Sequence, residues 1–99
     1  MNAFGLHALV VVSDWDEAGA EKAIRTAAAI GYDVIETPIF DPASVDLVRT
    51  RDLLRQNGLI PSVSLGLTPE TDISSADRAI SVAGIDQLHK VVDATTFIG

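Results

Sequence analysis

Few residues in this chain are equipped for chemistry. His7 and His89 are the two histidines, Trp15 is the single tryptophan, and there is no cysteine. Neither a disulfide framework nor a thiolate metal site is therefore available. Asp14, Asp16 and Glu17 stand close together and invite a metal-site reading. They also sit where an alanine-rich helical stretch begins, and helix capping by carboxylates explains them better. His7 lies within an apolar run, where a pocket role and a core histidine bonded to backbone stand side by side. Glu36 closes a second apolar run, as a carboxylate at a strand mouth or as the cap of a neighbouring loop. Ser64 ends a third such run and, taken alone, reads as packing. His89 falls in the middle of a helical stretch and reads as a surface residue. Ser64-Leu65-Gly66 is no phosphate loop, since it has neither the lysine nor the glycine spacing.

The elements that must hold these residues alternate between short β-rich runs and longer helical ones. Phe4 to Val12 is apolar and β-branched toward its end, as in a strand buried on both faces of a parallel sheet. After the polar Ser13-Asp14-Trp15-Asp16 loop, Glu17 to Ile30 carries Ala20, Ala23, Ile24, Ala27 and Ile30 near helical spacing, and Gly31 stands where a helix-ending glycine belongs. Tyr32 to Thr37 reads as a second strand stopped by Pro38. Asp41-Pro42 opens a turn, and Ser44 to Gln56 reads as a helix with Val45, Val48, Leu53 and Leu54 as its apolar stripe. Asn57-Gly58 ends it. Leu59 to Leu65 is a third strand, with Pro61 acceptable near its start. Ser74 and Asp77 approximate a capping box for a third helix, which runs to about Ala94. Its expected buried face is Ile80, Ala83, Leu88, Val91 and Val92. Thr95 to Gly99 reads as the approach to a fourth strand.

The implied fold class is α/β: three βα units with parallel strands and right-handed crossovers, βαβαβα plus the start of β4. A complete (β/α)8 barrel takes about 250 residues, so three eighths of one is roughly 94. The 99 residues fit that fraction, and read as a single partial barrel domain, 1–99, truncated at its C-terminal end. Fourteen acidic against seven basic side chains leave a net charge of −7. That balance argues against nucleic-acid and anionic-membrane partners. Ala8 to Val12 is far shorter than the roughly 20 apolar residues of a membrane helix. No basic flank precedes it to suggest a signal peptide, so the expected location is cytoplasmic.

Three stretches together resemble the N-terminal part of the ketose 3-epimerases, the D-tagatose, D-psicose and L-ribulose 3-epimerases of the xylose-isomerase-like TIM barrels. They are FGLHALVVVSDW at Phe4–Trp15, GYDVIETPIFDPASVDL at Gly31–Leu47, and NGLIPSVSLGLTPETDISSADRAISVAG at Asn57–Gly84. The resemblance covers essentially the whole chain, in order. It implies an enzyme using a divalent metal (Mn, Co or Mg), held by two glutamates, an aspartate and a histidine from later strands. The two glutamates would move the C3 proton of a free ketose through an enediolate. By the same resemblance those ligands lie beyond Gly99, so no catalytic or metal-binding residue is expected in this chain and the chain alone is expected to be inactive.

The resemblance carries substrate contact onto four positions. His7 stands on strand 1 where relatives place an aromatic or histidine near the sugar. Trp15 matches a tryptophan that packs against substrate, a role suited to an aromatic face. Glu36 would point to the barrel mouth, and Ser64 matches a small pocket-lining residue. Two other classes remain: a non-catalytic partial barrel that self-associates as a homo-oligomer to cover its open edges, and another sugar isomerase or dehydratase reaction of the same superfamily.

Overall fold

A computed structural model describes residues 2–99. Three parallel strands, β1 (Gly5–His7), β2 (Val34–Pro38) and β3 (Ile60–Ser64), form one sheet in the order β1-β2-β3. Helices α1 (Glu17–Ile30), α2 (Leu47–Gln56) and α3 (Arg78–Ile98) follow the strands in turn. Register is set by Gly5 against Val34 and His7 against Glu36 on one side of β2, and by Val34 against Ile60 and Pro38 against Ser64 on the other.

Strand alternation gives the sheet two unlike faces. Ile35 and Thr37 point to the helices and are fully buried, and Thr37 Oγ1 donates to the Ser62 carbonyl. Ile35 joins Ala23, Ile24, Ala27, Leu53, Leu54 and Ile98 in one core. The other face carries His7, Glu36, Ser62 and Ser64, all half-buried, with Ile60 60% exposed. That is the face a closed barrel would turn inward, and no described residue covers it with a second layer. The outer edges of β1 and β3 have no strand partner among the described residues.

The first helix has the bounds its local signals dictate. The Asp16 side chain accepts from Gly19 N at 2.7 Å, and Gly31 adopts φ 100° to end the helix. Ala20, Ala23, Ile24 and Ala27 are buried as expected, whereas Ile30 is exposed. Elsewhere the structure corrects the sequence reading. Strand 1 stops at His7 instead of reaching Val12, because the His7 ring accepts the Leu9 N–H and turns Ala8–Val10 into a 3-10 turn. α2 begins at Leu47 and not at Ser44: Pro42–Ser44 form a separate 3-10 turn, Val45 is extended, and Asp46 caps the helix through Arg49 N at 2.9 Å. Val48, expected on the apolar stripe, is exposed.

The third helix departs furthest. Ser74 does not cap it; its N–H and hydroxyl both bond the Asp72 carboxylate, and Asp77 caps α3 through Ala79 N instead. Thr95–Gly99 do not approach a fourth strand. Thr95 and Thr96 turn their hydroxyls onto the carbonyls of Val91 and Val92, which accommodates β-branched residues in a helix, and Ile98 buries itself in the core. The buried face of α3 is Gly84, Val91, Ala94 and Ile98, so Val91 lies where expected while Ala83 and Val92 are exposed. Gly84 is required by contact: a Cβ there would lie 2.2 Å from the Thr71 carbonyl oxygen.

Candidate functional site at the C-terminal ends of the strands

In parallel α/β sheets ligands meet the carboxyl ends of the strands. His7 ends β1, Ser64 ends β3, and Glu36 sits on β2 directly beside His7. Paired residues in a parallel register project to the same face, so His7, Glu36 and Ser62 form a row, with Ser64 one step further along. His7 Nε2 lies 3.0 Å from Ser64 Oγ, a contact that passes over β2 and joins residues 57 positions apart. His7 Nδ1 accepts the Leu9 N–H at 3.1 Å. A backbone N–H can only donate, so Nδ1 is the bare nitrogen and the neutral ring carries its proton on Nε2. Glu36 is half-buried beside this bridge, and among the described residues the ion-paired acids are Glu17, Glu21 and Asp52.

The structure thus brings His7, Glu36 and Ser64 together and sets Trp15 apart. Trp15 is half-buried in the loop after β1 and packs on the core cluster. It lines a concavity with Leu9, Pro38 and Phe40, just past the ends of β1 and β2. Its indole Nε1 is buried and has no hydrogen-bond partner among the described residues. Indole N–H groups ordinarily find an acceptor when buried, so this donor stands out. Sequence reasoning missed the roles of Leu9, Ser62 and Phe40. The hydrophobic type of Leu9 hides the part its backbone plays. Phe40 left a readable signal, being an aromatic in a loop, and it is 52% exposed.

The remaining candidates resolve as scaffold. Asp16 caps α1, Asp14 accepts from Ser13 Oγ at 3.0 Å, and Glu17 and Glu21 both pair with Arg49 to tie α1 to α2. His89 is exposed on α3. Among the described residues no three His, Cys, Asp or Glu side chains stand close enough to hold a metal ion. No helix among them is long and apolar enough to cross a membrane.

No family model matches the chain. Individual relatives do. An L-ribulose 3-epimerase of Methylomonas sp. (strain DH-1) is 45% identical over 96 residues, which is 97% of this chain and 34% of that protein. A ketose 3-epimerase of Arthrobacter globiformis is 36% identical over 96% of this chain and 33% of its own length. The crystal structure of a D-allulose 3-epimerase from Methylomonas sp., in complex with D-allulose, superposes with a TM-score of 0.93 at 44% identity, covering 98% of this chain and 34% of that one. The chain spans about a third of the length of the relatives it matches. Over that span the chain matches the N-terminal third of ketose 3-epimerases in both sequence and fold.

Proposed function

We propose that this chain serves as the N-terminal portion of an enzyme that interconverts free ketoses at C3, where it forms one partial barrel domain and supplies one wall of the sugar pocket. The observation that carries the reading is the 45% identity with an L-ribulose 3-epimerase along nearly the whole chain. The His7–Ser64 bridge at the strand ends supports it, because it places polar groups where such a fold meets its ligand. In this reading the Ser64 hydroxyl, held by His7, bonds a sugar oxygen, Glu36 accepts from a sugar hydroxyl, and Trp15 closes the rim with an aromatic face. A divalent metal in the whole enzyme would stabilise negative charge on the substrate oxygens. The described residues gather no donor set for it. Binding and orientation are therefore this chain's part, in a cytoplasmic setting that its lack of cysteine suits.

Titrating the ¹⁵N-labelled chain with D-allulose tests the wall directly. The largest amide shifts are expected at His7, Glu36 and Ser64, with smaller ones at Trp15. Shifts confined to the outer faces of the helices, or none at all, would refute the reading.

A second reading is favoured by one observation: among the described residues the sheet has two unpaired edges and an uncovered face, with Phe4 66% and Ile60 60% exposed at its N-terminal end. A chain built this way would self-associate as a homo-oligomer without catalysing anything. Size-exclusion chromatography separates the two, since a monomer that unfolds cooperatively counts against self-association.

A further inference from the structure

Resting on the proposed site, we infer that His7 is a positioning residue for Ser64, and that the pair meets a ligand with the serine hydroxyl proton and not with an imidazole N–H. The inference follows from two hydrogen bonds. Leu9 N–H occupies His7 Nδ1 at 3.1 Å, which leaves Nε2 as the protonated nitrogen of the neutral ring. Nε2 lies 3.0 Å from Ser64 Oγ, so the imidazole N–H donates and the serine oxygen accepts. Both ring nitrogens are then committed. The Ser64 hydroxyl proton is not, and it lies at the C-terminal end of β3 on the open face of the sheet.

The arrangement belongs to the fold and not to neighbours in sequence. One anchor is the 3-10 turn after β1, and the other is the end of β3. With its ring tied at both nitrogens, His7 cannot turn to follow a ligand. The pair therefore selects an acceptor oxygen, as found in the hydroxyl and carbonyl groups of a polyhydroxy ketone. An ammonium group, which can only donate, would meet no free acceptor on the imidazole.

Long-range ¹H–¹⁵N spectra of the labelled chain at mildly alkaline pH read this arrangement, with His89→Gln used to assign the imidazoles. His7 is expected to show a bare Nδ1 and an observable Nε2 proton, protected from exchange. In Ser64→Ala that proton signal is expected to vanish into solvent exchange while the amide spectrum stays that of the folded chain, and Ser64→Thr is expected to restore it. A proton on Nδ1, or an Nε2 proton that persists in Ser64→Ala, overturns the inference. Should Ser64→Ala unfold the chain, the wild-type and Ser64→Thr spectra still decide by the nitrogen that carries the proton. With D-allulose bound, the Nε2 proton is expected to keep its shift, and its displacement onto the sugar would overturn the inference. The sugar-free readings stand apart from ligand binding, so a chain that passes them and ignores D-allulose counts against the proposed function alone.

Discussion

Asp72 shows how single side chains set local behaviour in this chain. Its carboxylate accepts the Ser74 hydroxyl at 2.6 Å and the Ser74 N–H at 2.8 Å. Both bonds favour the charged form, the hydroxyl most, and they hold the carboxyl below its ordinary value. Glu70 is lowered as well, through the Thr68 side chain and its own backbone. A carboxyl depressed on folding contributes stability above its unfolded pKa of about 3.9, and loses it as pH falls through the lower folded value. Ser74→Ala should therefore move the Asp72 titration midpoint upward toward the ordinary range, as followed by the side-chain carbonyl signal in NMR. An unchanged midpoint would show that the hydroxyl contributes nothing. The sequence shows these residue types but not their pairing: Ser74 reads as a helix cap, and it turned instead to Asp72 because Asp77 stood nearer the helix start. His7 and Ser64 came forward as candidates through the family resemblance, since Ser64 taken alone reads as packing. Their mutual contact was not readable, because only the fold brings residues 57 apart together.

At the scale of elements, steric fit and ion pairing make opposite demands on prediction. Helix propensity alone says that Gly84→Ala should stabilise α3 by about 1 kcal/mol. The Cβ it adds would lie 2.2 Å from the Thr71 carbonyl oxygen and 2.8 Å from Ile73 Cγ2. A backbone oxygen cannot step aside as a flexible side chain can, so sterics win. The expected outcome is a loss of about 1–3 kcal/mol by denaturant unfolding, the range for overpacking; a gain would show that α3 does not press on this loop. Arg49 bridges Glu17 and Glu21, yet its side chain is 32% exposed and Glu17 more so. Arg49→Ala is expected to cost about 1 kcal/mol or less, and less again at high salt. The bounds of α1 were legible because Asp16 and Gly31 mark both ends locally. The end of β1 was not, because Ala8–Val12 has the composition of a buried strand while the His7 ring pulls the backbone into a turn. The last turn of α3 was obscured likewise: Thr95, Thr96 and Ile98 are β-branched, and tertiary burial of Ile98 overrides that preference.

At the scale of the molecule, three strands flanked by three helices make a sheet with one covered face and one open face. The strand-helix alternation was readable because each unit carries its own turn and cap signals, and the family resemblance followed from stretches spread along the whole chain. We propose that this chain forms the N-terminal third of a ketose 3-epimerase barrel and holds a pocket wall, with proton-transfer groups and metal supplied from elsewhere. The most direct test mixes it with a polypeptide carrying the C-terminal two thirds of the Methylomonas enzyme, supplies manganese, and follows the conversion of D-fructose to D-allulose. The two polypeptides are expected to copurify and turn over together, and neither to do so alone. Turnover by the 99-residue chain alone, or a copurified pair without activity, would contradict it.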